Sequence, residues 1–134
     1  MAIFISEKKE DTIEFAKLYA STLQGGDIVL LAGEMGAGKT VFAKGVALAL
    51  GIEDEVLSPT YAYMNDYDGK LYHFDCYRLK NGEQAEALGL CDYFYSNGIC
   101  LIEWAENISS VIPEKVKRVN IEKLDGDKRR IEYD

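Results

Sequence analysis

Several things are scarce in this 134-residue chain, which holds one histidine, two prolines, three cysteines and four arginines. A single histidine leaves a His/Cys zinc site short of ligands. Cys76, Cys91 and Cys100 are odd in number and show no C-x-x-C spacing. They fit a reducing compartment and argue against a disulfide framework. No apolar run approaches the ~20 residues of a membrane-spanning helix. Charge arrives early, at Glu7-Lys8-Lys9-Glu10, so no secretory leader is expected and the cytoplasm is the expected location. Positive charge is also short. A net charge of −8 disfavours a stand-alone nucleic-acid binder. The imbalance is local: residues 45–114 hold twelve carboxylates against Lys70, Arg78 and Lys80, whereas seven basic residues follow from Lys115 onward. That tail reads as a solvated β-hairpin, with a docking face or nucleotide contact as the alternative.

Apolar residues are plentiful at 48%, enough for a core in one domain over residues 1–134. The most informative stretch is Gly33-Glu34-Met35-Gly36-Ala37-Gly38-Lys39-Thr40. Its spacing is the phosphate-binding pattern G-x-x-x-x-G-K-[ST]. Glycines let the backbone wrap closely around a ligand, and successive N–H groups then form an anion-binding nest. The helix that starts there adds its positive end. Lys39 suits β- and γ-phosphate oxygens, and the Thr40 hydroxyl suits a magnesium ion bridging them. Val41 continues the motif into the helix. The context agrees: the apolar run 28–32 reads as a buried strand, and Val41, Phe42, Val46, Leu48 and Leu50 suit a helix ended by Gly51.

Elsewhere, residues 2–6 read as a strand, and Asp11-x-x-Glu14 as a capping box. Ile13, Ala16, Leu18, Ala20 and Leu23 then give a helical apolar face stopped by Gly25-Gly26. Tyrosine-rich strands at about 61–67 and 70–78 are joined at Asp68-Gly69. Short helices fill 83–96, a strand follows from Ile99 to Trp104, and residues 115–124 and 128–133 form a hairpin turning at Asp125-Gly126. The expected fold is α/β: a P-loop three-layer sandwich with a mixed, partly parallel central sheet and antiparallel hairpins.

A phosphate loop alone only binds. Hydrolysis or transfer also needs a carboxylate at the end of a nearby strand. Cys100-Leu101-Ile102-Glu103 and Leu71-Tyr72-His73-Phe74-Asp75 both end in one, and either acid also reads as merely solvated. Ser58-Pro59-Thr60 lies where GTPases keep a switch loop, and is equally compatible with a simple turn. His73 reads as a strand histidine satisfied by hydrogen bonds. Trp104 should point to the face opposite Glu103. Lys123-x-Asp125 only faintly echoes a guanine-specifying motif, and nothing in the local pattern otherwise settles adenine against guanine.

Four stretches stand in order: GEMGAGKT, SPTY, HFDCYRL and LIEWAEN. Together they resemble the TsaE family, also called YjeE, of bacterial P-loop ATPases, over about residues 1–133. Met35 stands where leucine is commoner. The resemblance implies ATP and Mg2+ as cofactors and weak ATPase activity alone. It implies a role in making N6-threonylcarbamoyladenosine at position 37 of tRNAs that read codons beginning with A. The implied partners are TsaD, which performs the transfer, and TsaB; tRNA is met through them, and ATP resets or remodels their assembly. It implies Lys39 and Thr40 as phosphate and magnesium contacts, and Glu103 and Asp75 as metal-linked or water-orienting acids. Thr60 is implied as a switch-like hydroxyl, with Ser58, Pro59, Tyr61, Arg78 and Trp104 as further motif positions and Arg129 near the nucleotide. A small-molecule P-loop kinase and a non-hydrolytic nucleotide-dependent switch are the alternatives. Kinases usually carry an arginine-bearing lid and a substrate insert, and neither is evident here.

Overall fold

The computed structural model of the chain describes residues 1–59 and 62–134. Among the described residues there are seven strands: β1 (Ala2–Ser6), β2 (Ile28–Ala32), β3 (Met64–Tyr67), β4 (Leu71–Asp75), β5 (Ile99–Glu103), β6 (Lys117–Lys123) and β7 (Arg129–Tyr133). Three α-helices are α1 (Lys9–Ala20), α2 (Lys39–Ala49) and α3 (Gly82–Ala87), and 3-10 helices cover Leu90–Tyr95 and Ala105–Val111. The strand order is β1-β7-β6-β2-β5-β4-β3. Parallel β4–β5 pairing and antiparallel β1–β7, β6–β7 and β3–β4 pairings make the sheet mixed. This is the expected α/β architecture. Among the described residues no helix is long and apolar enough to cross a membrane. The chain divides into two compact units.

The first unit comprises Met1–Leu23, Leu31–Leu57 and Arg118–Asp134. Its core is aromatic. Phe15 stacks on Phe4 with ring centroids 4.7 Å apart and meets Tyr133 edge-on at 4.9 Å, while Tyr19 lies 5.8 Å from Phe42. The apolar face of α1 therefore differs from expectation. Thr12, Phe15, Ala16, Tyr19 and Ala20 are buried and Leu18 is exposed. Aliphatic side chains alone misplace the stripe, because the aromatics at 15 and 19 set it. On α2 the same happens: Phe42, Ala43, Gly45, Val46 and Ala47 are buried, whereas Leu48 is exposed.

The start of α1 is a second correction. Its N-cap is Lys8, with no side-chain cap, and Asp11 occupies the third helical position. Asp11 reaches back and accepts from the Glu7 N–H at 3.0 Å. The acid thus supplies the returning half of a capping arrangement, in place of the first half expected at Asp11. Ser6, fully buried, bonds the Lys8 carbonyl and the Thr12 hydroxyl at 2.8 and 2.7 Å.

The basic C-terminal hairpin is not a solvated appendage. β7 pairs with β1 on one side and β6 on the other, and Val119, Ile121 and Ile131 are essentially inaccessible. Alternation explains both facts: apolar residues at 119, 121 and 131 point to one face, and the charges between them point to the other.

The second unit comprises Gln24–Leu30 and Ser58–Lys117. Asp68 and Gly69 both take positive φ, 58° and 68°, as the Asp-Gly signal between β3 and β4 requires. One face of β4 and β5 carries Tyr72, Phe74, Cys100 and Ile102. These pack with Leu90, Phe94 and Ile108 from the 3-10 helices.

Gly45 tests the packing of α1 on α2. A Cβ there would lie 2.5 Å from the Ala16 Cβ and 2.6 Å from the Ile13 carbonyl oxygen. In an exposed helix Gly→Ala gains up to about 1 kcal/mol. Here the contact is backbone, so the helices must separate. Gly45→Ala is expected to lose about 1–3 kcal/mol in urea unfolding. Unchanged or raised stability would show that the crossing does not depend on this close approach.

Candidate functional site

The phosphate-loop sequence follows β2 and opens α2, and residues 33–40 themselves belong to the first unit. Gly33 is needed for space: a Cβ there would stand 2.7 Å from the Ile121 carbonyl oxygen and 3.3 Å from the Ala37 Cβ. The loop then turns through Gly36 at φ 81° and Gly38 at φ 105°, values that L side chains rarely adopt. Ala37 is fully buried and its N–H donates to the Glu34 carbonyl at 3.0 Å, which pins the middle of the turn. Gly38 is the N-cap of α2, and its carbonyl accepts from the Phe42 N–H. Lys39 and Thr40 are thus the first two helical residues, and both are half-buried. Glu34, Met35 and Gly36 are exposed; Val41 is half-buried.

Arg129, the first residue of β7, lies against this loop. Its Nε donates to the Ala37 carbonyl at 2.8 Å and its Nη2 to the Gly36 carbonyl at 3.2 Å. Its Nη1 donates to the carbonyls of Gly126 and Lys128 at 3.0 and 2.9 Å.

The two candidate acids lie in the second unit. β4 and β5 run parallel in a register that sets Asp75 directly beside Glu103 at the strands' C-terminal ends. Alternation puts His73, Asp75 and Glu103 on the face opposite the Phe74–Ile102 packing. Both acids are buried. The Asp75 Oδ1 accepts from the Tyr77 N–H at 3.0 Å. The Glu103 Oε2 lies 2.6 Å from the His73 Nε2, and His73 is fully buried. The His73 Nδ1 is buried with no hydrogen-bond partner among the described residues. The strand histidine expected to be satisfied by hydrogen bonds is therefore satisfied at one nitrogen, by a candidate acid.

After Glu103 the chain turns sharply. Trp104 takes φ 58°, ψ 39°, a left-handed conformation unusual for a bulky residue. Its half-buried ring packs against the Phe74–Ile102 cluster and meets Tyr77 edge-on at 4.9 Å, on the face expected for it. Arg78 is exposed in the turn after β4. Ser58 is exposed and Pro59 buried. Thr60 and Tyr61 lie outside the described residues.

One residue that sequence reasoning does not single out is Asn107. Its Nδ2 donates to the carbonyls of Cys76 and Tyr77 at 3.1 and 3.2 Å, and its N–H to the Trp104 carbonyl at 3.1 Å. It ties the stretch after Glu103 to the stretch after Asp75. The only available signal was an amide ending LIEWAEN, with no local pattern to name its acceptors.

Among the described residues no group of three or more His, Cys, Asp or Glu is arranged to hold a metal. Magnesium asks less of the protein: one or two side-chain oxygens, with phosphates and waters completing an octahedron. Thr40 offers a hydroxyl in the first unit, and Asp75 and Glu103 offer carboxylates in the second; each is a hard oxygen donor of the type magnesium takes.

The model of the family described as "Threonylcarbamoyl adenosine biosynthesis protein TsaE" matches residues 6–131. The chain belongs to the TsaE family. The Bacillus subtilis tRNA threonylcarbamoyladenosine biosynthesis protein TsaE is 42% identical over 127 residues, covering 92% of this chain and 79% of its own length. The Treponema pallidum protein of the same name is 37% identical and is covered over 96% of its length, with 95% of this chain. A crystal structure of Bacillus subtilis YdiB superposes with a TM-score of 0.81 at 36% identity, covering 98% of this chain and 83% of that one. The chain thus has the P-loop fold of a TsaE protein.

Two outcomes test the second unit's geometry. His73→Leu is expected to cost about 1–3 kcal/mol, because it removes a buried hydrogen bond to Glu103. Adding Glu103→Leu should recover most of that loss in chemical denaturation. A neutral single variant would show that the pair is not coupled. The cysteines give a pH test. Burial, then Asp75 and other acids, push the Cys76 thiol up to about 12, and burial alone pushes Cys100 to about 12. Burial also raises Cys91, helped by Glu86 and Asp92, but this side chain is only half-buried. Thiolates are the nucleophiles. Alkylation of the native protein should therefore begin at Cys91 and reach the others only on unfolding. The unfolded chain releases its thiol protons near 9, before the folded chain does, so these two groups lower stability as pH rises from about 9 to 12. Labelling of Cys76 or Cys100 in the native state at neutral pH would contradict this burial.

Proposed function

We propose that the chain is an accessory ATPase of tRNA N6-threonylcarbamoyladenosine synthesis. It binds ATP with magnesium at Gly33–Val41, hydrolyses it weakly alone, and uses it to drive or reset a TsaD–TsaB transferase complex. The observation that carries this reading is a G-x-x-x-x-G-K-T loop, with its glycines at positive φ, opening a helix in a chain of the TsaE family. The residues have these roles. Backbone N–H groups of the loop and the α2 N-terminus hold the phosphates, and Lys39 offsets their charge. Thr40 is a magnesium ligand, and one acid of the Asp75–Glu103 pair is of the type that binds a divalent cation. Magnesium, when bound, neutralises charge that develops on the β- and γ-phosphate oxygens. The remaining acid of the Asp75–Glu103 pair orients the attacking water, and the Thr60 hydroxyl joins the site when a γ-phosphate is present. Burial suits both acids to such work, since a carboxylate held out of bulk water interacts more strongly with cations. A net charge of −8 fits contact with tRNA through partners.

The test is ATP hydrolysis by the protein alone and with a matched TsaD–TsaB pair, with tRNA modification followed in the same reaction. Slow hydrolysis that rises with the pair, together with multiple-turnover modification, is the expected result. Lys39→Ala should lose at least about 1.5–3 kcal/mol of nucleotide binding, the worth of a charge-assisted contact. No stimulation, no effect on modification and an unaffected Lys39→Ala variant would reject the reading. A phosphorylated small-molecule product would restore the kinase alternative.

A further inference from the structure

A loop that turns N–H groups toward an anion must turn carbonyls away from it, and those carbonyls need donors of their own. Among the described residues, the loop carbonyls of Gly36 and Ala37 accept from a side chain, and the donor is Arg129. The same guanidinium grips Gly126 and Lys128, the carbonyls of the β6–β7 turn. Four hydrogen bonds thus run from one side chain to four backbone carbonyls, two on the loop and two on the hairpin. A guanidinium has five N–H groups in a rigid plane. Only one, on Nη2, is left over among the described residues. Gly38 belongs to the same packing, since a Cβ there would stand 4.0 Å from the Arg129 Nε.

We propose that Arg129 is a positioning residue: it braces the phosphate loop from behind in its binding shape before nucleotide arrives, and is not itself a phosphate ligand. The proposal rests on the nucleotide-binding reading of the loop. It replaces the nucleotide contact expected from family resemblance with an action through the carbonyls of Gly36 and Ala37. A pre-shaped loop loses less conformational freedom on binding, so affinity is gained for every nucleotide that uses the loop. A direct γ-phosphate contact would instead favour ATP alone.

Arg130 provides an internal control. It is the next residue, and its ion pairs go to Glu122 and Glu132 on the strands, at 3.7 and 2.7 Å. The experiment is calorimetric binding of ADP and of a non-hydrolysable ATP analogue, both with magnesium, to wild type, Arg129→Gln, Arg129→Lys and Arg130→Gln. Thermal midpoints and hydrogen exchange of residues 34–40 without nucleotide are measured alongside. Both Arg129 variants should lose roughly tenfold in affinity for both nucleotides, about the effect of one lost ordering contact. Loop exchange should quicken in both, and Arg130→Gln should match wild type. Lysine keeps the charge but offers one nitrogen in place of three. Full rescue by Arg129→Lys, a loss confined to the ATP analogue, or unchanged affinity would each overturn the brace. If wild type binds neither nucleotide, the nucleotide reading fails. The brace is then judged on exchange alone: quickened loop exchange in the Arg129 variants supports it, and unchanged exchange rejects it.

Discussion

The backbone of residues 33–40 is the constraint around which the first unit is built. A chain cannot curl into a short glycine-rich loop between a strand and a helix without leaving carbonyl groups in need of partners. It also cannot approach a neighbouring strand closely if it carries side chains. The protein meets both demands with β6 and β7. The Ile121 carbonyl oxygen of β6 lies 2.7 Å from where a Cβ on Gly33 would be, too close for a side chain. Arg129 at the start of β7 supplies donors for the loop carbonyls. The basic hairpin therefore forms part of the loop's support, and its apolar residues complete the core.

The second unit solves a different problem, that of keeping two carboxylates out of water in fixed directions. Parallel pairing of β4 and β5 sets Asp75 beside Glu103. Alternation gives one face to apolar packing and puts His73, Asp75 and Glu103 on the other. Burial raises the cost of leaving either acid without a donor. Asp75 finds the Tyr77 N–H and Glu103 finds His73. Asn107 fixes the two chain exits relative to each other by bonding Cys76, Tyr77 and Trp104. Strand-end carboxylates and a loop following a strand are where α/β folds generally keep ligands. The local packing gives each acid little freedom to reorient.

Much of this is legible in the residues alone. Asp68-Gly69 marks the β3–β4 turn because few other pairs tolerate positive φ twice in succession. The phosphate loop is legible because its chemistry demands fixed residue types at fixed spacing. The acids at 75 and 103 are visible as polar ends of apolar runs. What escapes are features that depend on a partner distant in sequence. The α1 stripe is misjudged because Phe15 and Tyr19 find Phe4, Phe42 and Tyr133, which no window along the helix contains. The hairpin looks solvated when its charges are counted without its neighbours β1 and β2 in the strand order.

The sequence by itself determined the order of the strands, the α/β class, the loop that begins α2 and the identity of the candidate acids, but not the 3-10 helix at Ala105–Val111. These follow from local rules: side-chain periodicity, backbone permissiveness at glycine, and the donors that a phosphate or a cation requires. Tertiary structure alone decided that Arg129 grips the back of the loop, that His73 serves Glu103, that Asn107 ties two motifs, and that Gly45 lets α1 meet α2. Each is a contact between residues far apart in the chain. Hydrogen bonds and close packing act over a few ångströms of space, and sequence separation carries no information about them until the chain has folded.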